Sequence, residues 1–236
     1  MAEDTTTTDQ GLPAEAAPAS DRVLLRRGAH LGRYAAADVA AVLDAGVIAH
    51  VGVSTPAGPV VIPMAYGRDD ERIYLHGSVA NAALRAADGQ DVCVTVTVVD
   101  GLIFGRSAFH NSMQYRSVII RGQAERVRDS AAHVRALQLV ANHVTANWHT
   151  ARPATDAEVR QTMVISVPLD EASAKVREGG PIDEPGDVDG PFWGGSVPIS
   201  TTFGQPVGSP DLPAGVAPRA AIEGLAGRPV HVPGRR

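Results

Sequence analysis

Leu75-His76-Gly77-Ser78, followed by Val79-Ala80-Asn81, joins a strand-like run to a helical one. The residue types suit chemistry at such a junction. The N–H groups of a first helical turn, beside a small hydroxyl, seat a phosphate or another anion. An imidazole at the strand end can move a proton or stack on a ring, or be an ordinary core or surface histidine. The same residues also fit an ordinary strand-to-helix junction, with Ser78 or Asn81 as its cap. A second group lies in RSAFHNSMQYRSV, residues 106–118. A plain hairpin turn needs no Met, Tyr and Arg together, so this loop reads as a ligand wall, a subunit contact or a solvated connection. Arg116 suits an anion and Tyr115 suits stacking. A third group is Trp193 beside Gly194 and Gly195. It lets backbone approach something flat, or it anchors a docked C-terminal arm.

Other chemistries find no support in the residues. There is no G-x-S-x-G, no Walker loop and no G-x-G-x-x-G opening a helix. His143 and His149 stand about 600° apart on a helical wheel, on different faces, so they are not a zinc pair. Asp69-Asp70-Glu71 falls in a turn and reads as solvated charge. The single cysteine, Cys93, sits in an apolar run and reads as a small buried hydrophobe.

The chain has 236 residues and a net charge of −5. That length is one domain plus tails, and the acidic balance argues against nucleic acid. No apolar run is long enough to span a membrane. The polar, acidic N-terminus is unlike a secretory signal, so a cytoplasmic protein is expected. Residues 1–21 read as a disordered tail, 22–200 as the folded domain, and 201–236 as a Pro/Gly-rich arm.

Between the tails the pattern is mainly β. Strand-like runs cover 47–55, 60–66, 72–76, 91–99, 102–109, 115–127 and 162–169. Pro63 confines its strand to an edge, a bulge or a ligand-facing position. Val/Thr alternation over 91–99 is a strong period-two signal, and Asp100-Gly101 predicts a two-residue hairpin turn. Gly122 suggests a bulge. Helical patterns cover 34–46, about 78–87, 130–148 with Ser130 as cap, and 154–161. Hairpins with peripheral helices point to an antiparallel barrel rather than a doubly wound sheet.

With these residues in view, most of the chain, roughly 26–200, resembles the FMN-binding split-barrel superfamily. It is most similar to its pyridoxamine 5′-phosphate oxidase-related, nitroimidazole-reductase-like branch. The resemblance rests on LHGS after a strand combined with the S-M-x-Y-R-S loop, and on SVPLDEASAKVREGGPIDEP and FWGGSVPIS. It implies a mainly β fold, a six-stranded antiparallel split barrel with peripheral helices. It also implies a homodimer with flavin sites at the subunit interface. By the same carry-over, Ile62, Pro63 and Met64 lie against the flavin ring, and His76, Gly77 and Ser78 approach ring and phosphate. Asn81 and Arg85 stand near the phosphate. Ser112, Met113, Tyr115, Arg116 and Trp193 line the site or reach across the dimer.

The implied activity is an FMN-dependent oxidoreductase. It would reduce or oxidise a small organic substrate (a nitroaromatic, a quinone or a pyridoxal-type vitamer), with His76 and Tyr115 as catalytic groups and a nicotinamide electron donor. Relatives commonly carry a basic residue where Ala82 stands. The change implies weaker FMN binding or another ligand, such as haem or deazaflavin. The rival readings are a flavin- or haem-binding protein without turnover, and a haem enzyme on the same barrel with His76 or His110 as axial ligand.

Overall fold

The computed structural model describes residues 16–231. The elements in chain order are β1 (Gly32–Arg33), α1 (Ala36–Ala45), β2 (Ala49–Thr55), β3 (Gly58–Met64), β4 (Tyr66–Arg68), β5 (Arg72–Ser78), α2 (Ala82–Ala87), β6 (Asp91–Phe104), β7 (Ser112–Gln123) and β8 (Glu125–Arg126). They continue with α3 (Ser130–Asn142), α4 (Asp156–Gln161), β9 (Thr162–Pro168), β10 (Ala172–Arg177), α5 (Pro185–Val188), β11 (Gly195–Pro198) and α6 (Ala220–Glu223).

All strand pairs are antiparallel and fall into two sheets. One runs β1-β10-β7-β6-β2-β3, with β11 added to β6; the other runs β4-β5-β9-β8. Three strand tracks pass from one sheet to the other: β3 into β4, β7 into β8, and β9 into β10. Six tracks therefore surround the core, and the sheets part where those tracks bend. This is the expected split barrel with peripheral helices.

The alternation of Val and Thr builds it. Val92, Val94, Val96 and Val98 of β6 are buried, while Cys93, Thr95 and Thr97 face the other way. Fully burying each such valine contributes about 1.5–3 kcal/mol. Tyr66, Leu75, Val118 and Ile165 complete the core from other strands. α1 closes one end. Its last carbonyls, left unpaired by helix geometry, are taken by side chains from elsewhere: the Tyr66 hydroxyl donates to Leu43 O at 2.5 Å and to Gly46 O at 3.0 Å. His143 Nε2 lies 2.7 Å from Gly46 O and His231 Nδ1 lies 2.8 Å from Ala45 O. The C-terminal segment thus folds back onto the barrel, with Thr202 bridging Pro229.

Local details differ from the sequence reading in instructive ways. Asp100-Gly101 is not a hairpin turn. β6 continues to Phe104, and the register against β7 shifts between Val99 and Gly101, so the pair forms a bulge inside one long strand. The chain reverses at 105–111 instead. Gly122 pairs in register with Val92. α3 ends at Asn142 rather than 148, and its cap is Asp129, whose side chain accepts from Ala132 N. Pro63 lies on β3, the edge of its sheet, where a missing N–H is tolerated. The expected N-terminal tail lies mostly outside the described residues.

Candidate functional site

At the β5–α2 junction the N–H groups of Ala80, Ala83 and Leu84 already have side-chain partners. Asn81 is the N-cap of α2, and its side-chain oxygen accepts from Ala83 N and Leu84 N at 3.0 and 3.2 Å. Ser78 Oγ accepts from Ala80 N at 3.1 Å. The sequence folds this way because Asn and Ser oxygens satisfy orphan amides close in sequence. Ala82 opens the helix and is exposed, as is Arg85 one turn on. Gly77 allows tight packing: a Cβ there would sit 2.8 Å from Leu84 Cδ1 and 3.7 Å from Met64 Cε.

β3 presents its residues alternately. Met64 is buried and Ile62 packs against the core, while Pro63 is exposed on the opposite face. A planar ring lying on the outer face would meet the Pro63 side chain directly, and Ile62 and Met64 through their backbone.

His76 lies on β5, paired with Val164 of β9. Its Nδ1 is buried and has no hydrogen-bond partner among the described residues. Burial pushes the imidazole pKa below its ordinary value, so the ring is neutral near pH 7. It lines a cavity of about 390 Å³ walled by Leu137, Val140, Trp148, Ala154 and Val159. These walls come from α3, α4 and the strap between them. Glu158 stands at the same cavity; the Arg152 guanidinium and the Thr155 cap hold its carboxyl down at about 2.

The second predicted group sits at the far end of β6 and β7, past the stretch where β2 pairs with β6. Ser112 and Met113 are exposed. Tyr115 pairs with Val99 and Arg177. Arg116 is 6% exposed and grips Asp100 through two bonds of 2.9 and 2.8 Å. Asp100 is the unpaired residue at the bulge. The pair borders a polar cleft of about 710 Å³ together with Gln114, Arg177 and the C-terminal segment. Trp193 is 66% exposed, with its ring centroid 6.3 Å from that of Phe104. Nearby, Asp183 is buried. Burial opposes its ionisation, but the Arg106 side chain and backbone N–H and the His110 ring hold its carboxyl below the usual range. His110 Nδ1 is 3.4 Å from Asp183 Oδ1.

The structure therefore divides the predicted residues. Met64, His76, Gly77, Ser78, Asn81 and, one turn on, Arg85 belong to one end of the barrel. Ser112, Met113, Tyr115, Arg116 and Trp193 belong to the extended β6–β7 end. Sequence reasoning gave no site role to Leu137, Val140, Trp148 or Val159. The available signal was the run Asn142-His143-Val144-Thr145-Ala146-Asn147-Trp148, too rich in β-branched and amide residues for a helix interior. Among the described residues no cluster of His, Cys, Asp and Glu fits a metal ion, and no helix is long and apolar enough to cross a membrane.

A split barrel with a histidine-lined apolar cavity defines a class that comparison with known proteins makes specific. Residues 35–176 match the family model of pyridoxamine 5′-phosphate oxidase. The flavocytochrome Anf3 from Azotobacter vinelandii is 34% identical with a TM-score of 0.85, over 89% of this chain and 99% of that one. The FAD and heme binding protein from Mycobacterium smegmatis is 28% identical with a TM-score of 0.80, over 86% of this chain and 100% of that one. A search of curated proteins finds no match. The chain belongs to the pyridoxamine 5′-phosphate oxidase family of flavin-binding split barrels.

Proposed function

We propose that this protein is a redox protein that binds both a flavin and a haem, and that His76 would hold the haem iron. The observation that carries the reading is the His76 ring, neutral and at the wall of an apolar cavity. A neutral imidazole is what an iron ligand requires. His110 is the weaker candidate, because its ring faces the Asp183 carboxylate and does not line this cavity. Near full-length similarity to a flavocytochrome and to an FAD and heme binding protein supports the pairing of cofactors.

In this reading Leu137, Val140, Trp148 and Val159 exclude water from the haem faces. A bound haem supplies one-electron chemistry at iron, and a flavin supplies exchange between two-electron donors and one-electron acceptors. The exposed face of β3 at Pro63 would hold the flavin, between two copies of the chain. Ser112, Met113, Tyr115 and Trp193 on the projecting β6–β7 end would face the partner subunit, while Arg116, buried against Asp100, would brace that end rather than touch the flavin. With both groups bound, the protein would accept electrons from a nicotinamide donor and pass them to a small organic molecule. The phosphate seat at Ser78–Asn81 is weak, because both side-chain oxygens already accept from Ala80, Ala83 and Leu84 N–H groups. Affinity for the flavin then depends on Arg85, on contacts from the partner and on contacts elsewhere along the molecule.

The absorption spectrum of the purified protein, with the masses of the ligands released on denaturation, tests the reading. A strong band near roughly 400 nm together with flavin absorption near roughly 450 nm is expected. Flavin alone would leave a single-cofactor flavoprotein and would remove the haem. Neither band after addition of both cofactors would remove the reading altogether.

A further inference from the structure

We propose that Asn142 is a positioning residue that holds Trp148 as a wall of the His76 cavity and so controls how firmly a planar ligand is retained there. The inference rests on the haem reading for the identity of the ligand, but not for the geometry of the wall.

Asn142 is the last residue of α3, the helix whose Leu137 and Val140 line the cavity. Its Oδ1 accepts hydrogen bonds from Asn147 N and Trp148 N, both at 2.8 Å. One side-chain oxygen thus joins the cavity-lining helix to the far half of the strap that follows. The other ties of the strap act elsewhere. His143 on Gly46 O and Thr145 on Ala221 O fix its first half. The contact of His149 with Gln138 is exposed and competes with water. The turn continues with Thr150 N and Ala151 N donating to Asn147 O, so the peptide that Asn142 holds also sets the path toward Ala154 at the cavity rim. Without the Asn142 oxygen, two part-buried N–H groups lose their acceptor. A buried unpaired amide is costly, and the strap relieves the cost by moving outward to water. Trp148 would move with it, and the cavity would open.

The test uses the full chain in a Trp193→Phe background, so that Trp148 is the sole tryptophan. Acrylamide quenching of Trp148 in the haem-free protein reads the wall directly. Transfer of haemin to an excess of apomyoglobin reads retention. Asn142→Ala is expected to raise the quenching constant at least about twofold and to speed haemin release about tenfold, the order expected for losing neutral hydrogen bonds. Asn142→Asp, which keeps the acceptor, is expected to restore both. Trp148→Ala with Asn142 intact should release haemin as fast as Asn142→Ala, and the double variant no faster. Unchanged quenching in Asn142→Ala, an Asp variant as loose as the Ala variant, or release effects that multiply in the double variant would each overturn the proposal. Failure of every variant to take up haemin would count against the haem reading alone, and the quenching comparison would still decide the role of Asn142.

Discussion

Arg116 and Asp100 form a two-bond ion pair, at 2.9 and 2.8 Å, and Asp100 is the residue that the β6 bulge leaves unpaired in the ladder. Asp100 lies two residues beyond Val98, the partner of Arg116 on β7, and so shares the face of Arg116. Arg116 is almost wholly buried and Asp100 about one-third exposed. Asp100→Ala is therefore expected to lower stability by about 1–3 kcal/mol, below the cost of breaking a fully buried pair. Urea unfolding measures it. A loss under about 0.5 kcal/mol, the range of an ordinary surface change, would show that the contact is incidental.

Gly67 of β4 lies directly under α3. A Cβ there would overlap the backbone of Leu139 and Val140, and backbone cannot yield as a flexible side chain does. Gly67→Ala is expected to push α3 away from the barrel, costing about 1–3 kcal/mol, and to weaken ligand binding in the cavity that α3 lines. Thermal unfolding and haemin affinity should fall together. Unchanged values for both would contradict the packing.

His143 contributes a pH dependence with a definite sign. Burial holds its pKa below the ordinary value, and its Nε2 must carry the hydrogen donated to Gly46 O. The unfolded chain therefore binds more protons than the folded one at mildly acidic pH. Stability is full above the ordinary histidine pKa of about 6.5 and falls as pH drops below it, by at most about 1.4 kcal/mol per pH unit for one group. His76 shifts in the same direction. His143→Gln is expected to flatten part of the slope measured by unfolding between about pH 7 and 5. An identical slope in the variant would exclude His143 as its source.

Thr155 and Glu158 form a reciprocal capping box at the start of α4. Thr155→Ala is expected to cost about 1 kcal/mol. The Glu158 carboxyl, held by Arg152 and Thr155, should then titrate closer to the usual range of about 4.3, which NMR can follow.

Much of the barrel is readable from local pattern. Val92–Val98 alternate with period two, Pro63 marks an edge strand, and Gly46 ends α1. The errors have physical causes. Asp-Gly favours a turn locally, yet twelve β6–β7 partners keep β6 straight through Asp100 and turn the pair into a bulge. Ser130 and Asp129 are both good caps, and tertiary placement selected Asp129. In the site, His76 was legible because its junction is local. Trp148 and Val159 were not, because they meet His76 only after α3 and α4 pack against β5 and β9.

Haemin titration of the unaltered protein, His76→Ala and His110→Ala, followed by absorption and electron paramagnetic resonance, tests the proposed axial ligand most directly. The unaltered protein and His110→Ala should bind one haem per chain with the signature of histidine ligation. His76→Ala should lose that signature and at least about tenfold in affinity, with imidazole added in solution restoring the spectrum. Histidine-ligated haem bound by His76→Ala as tightly as by the unaltered chain would contradict the assignment.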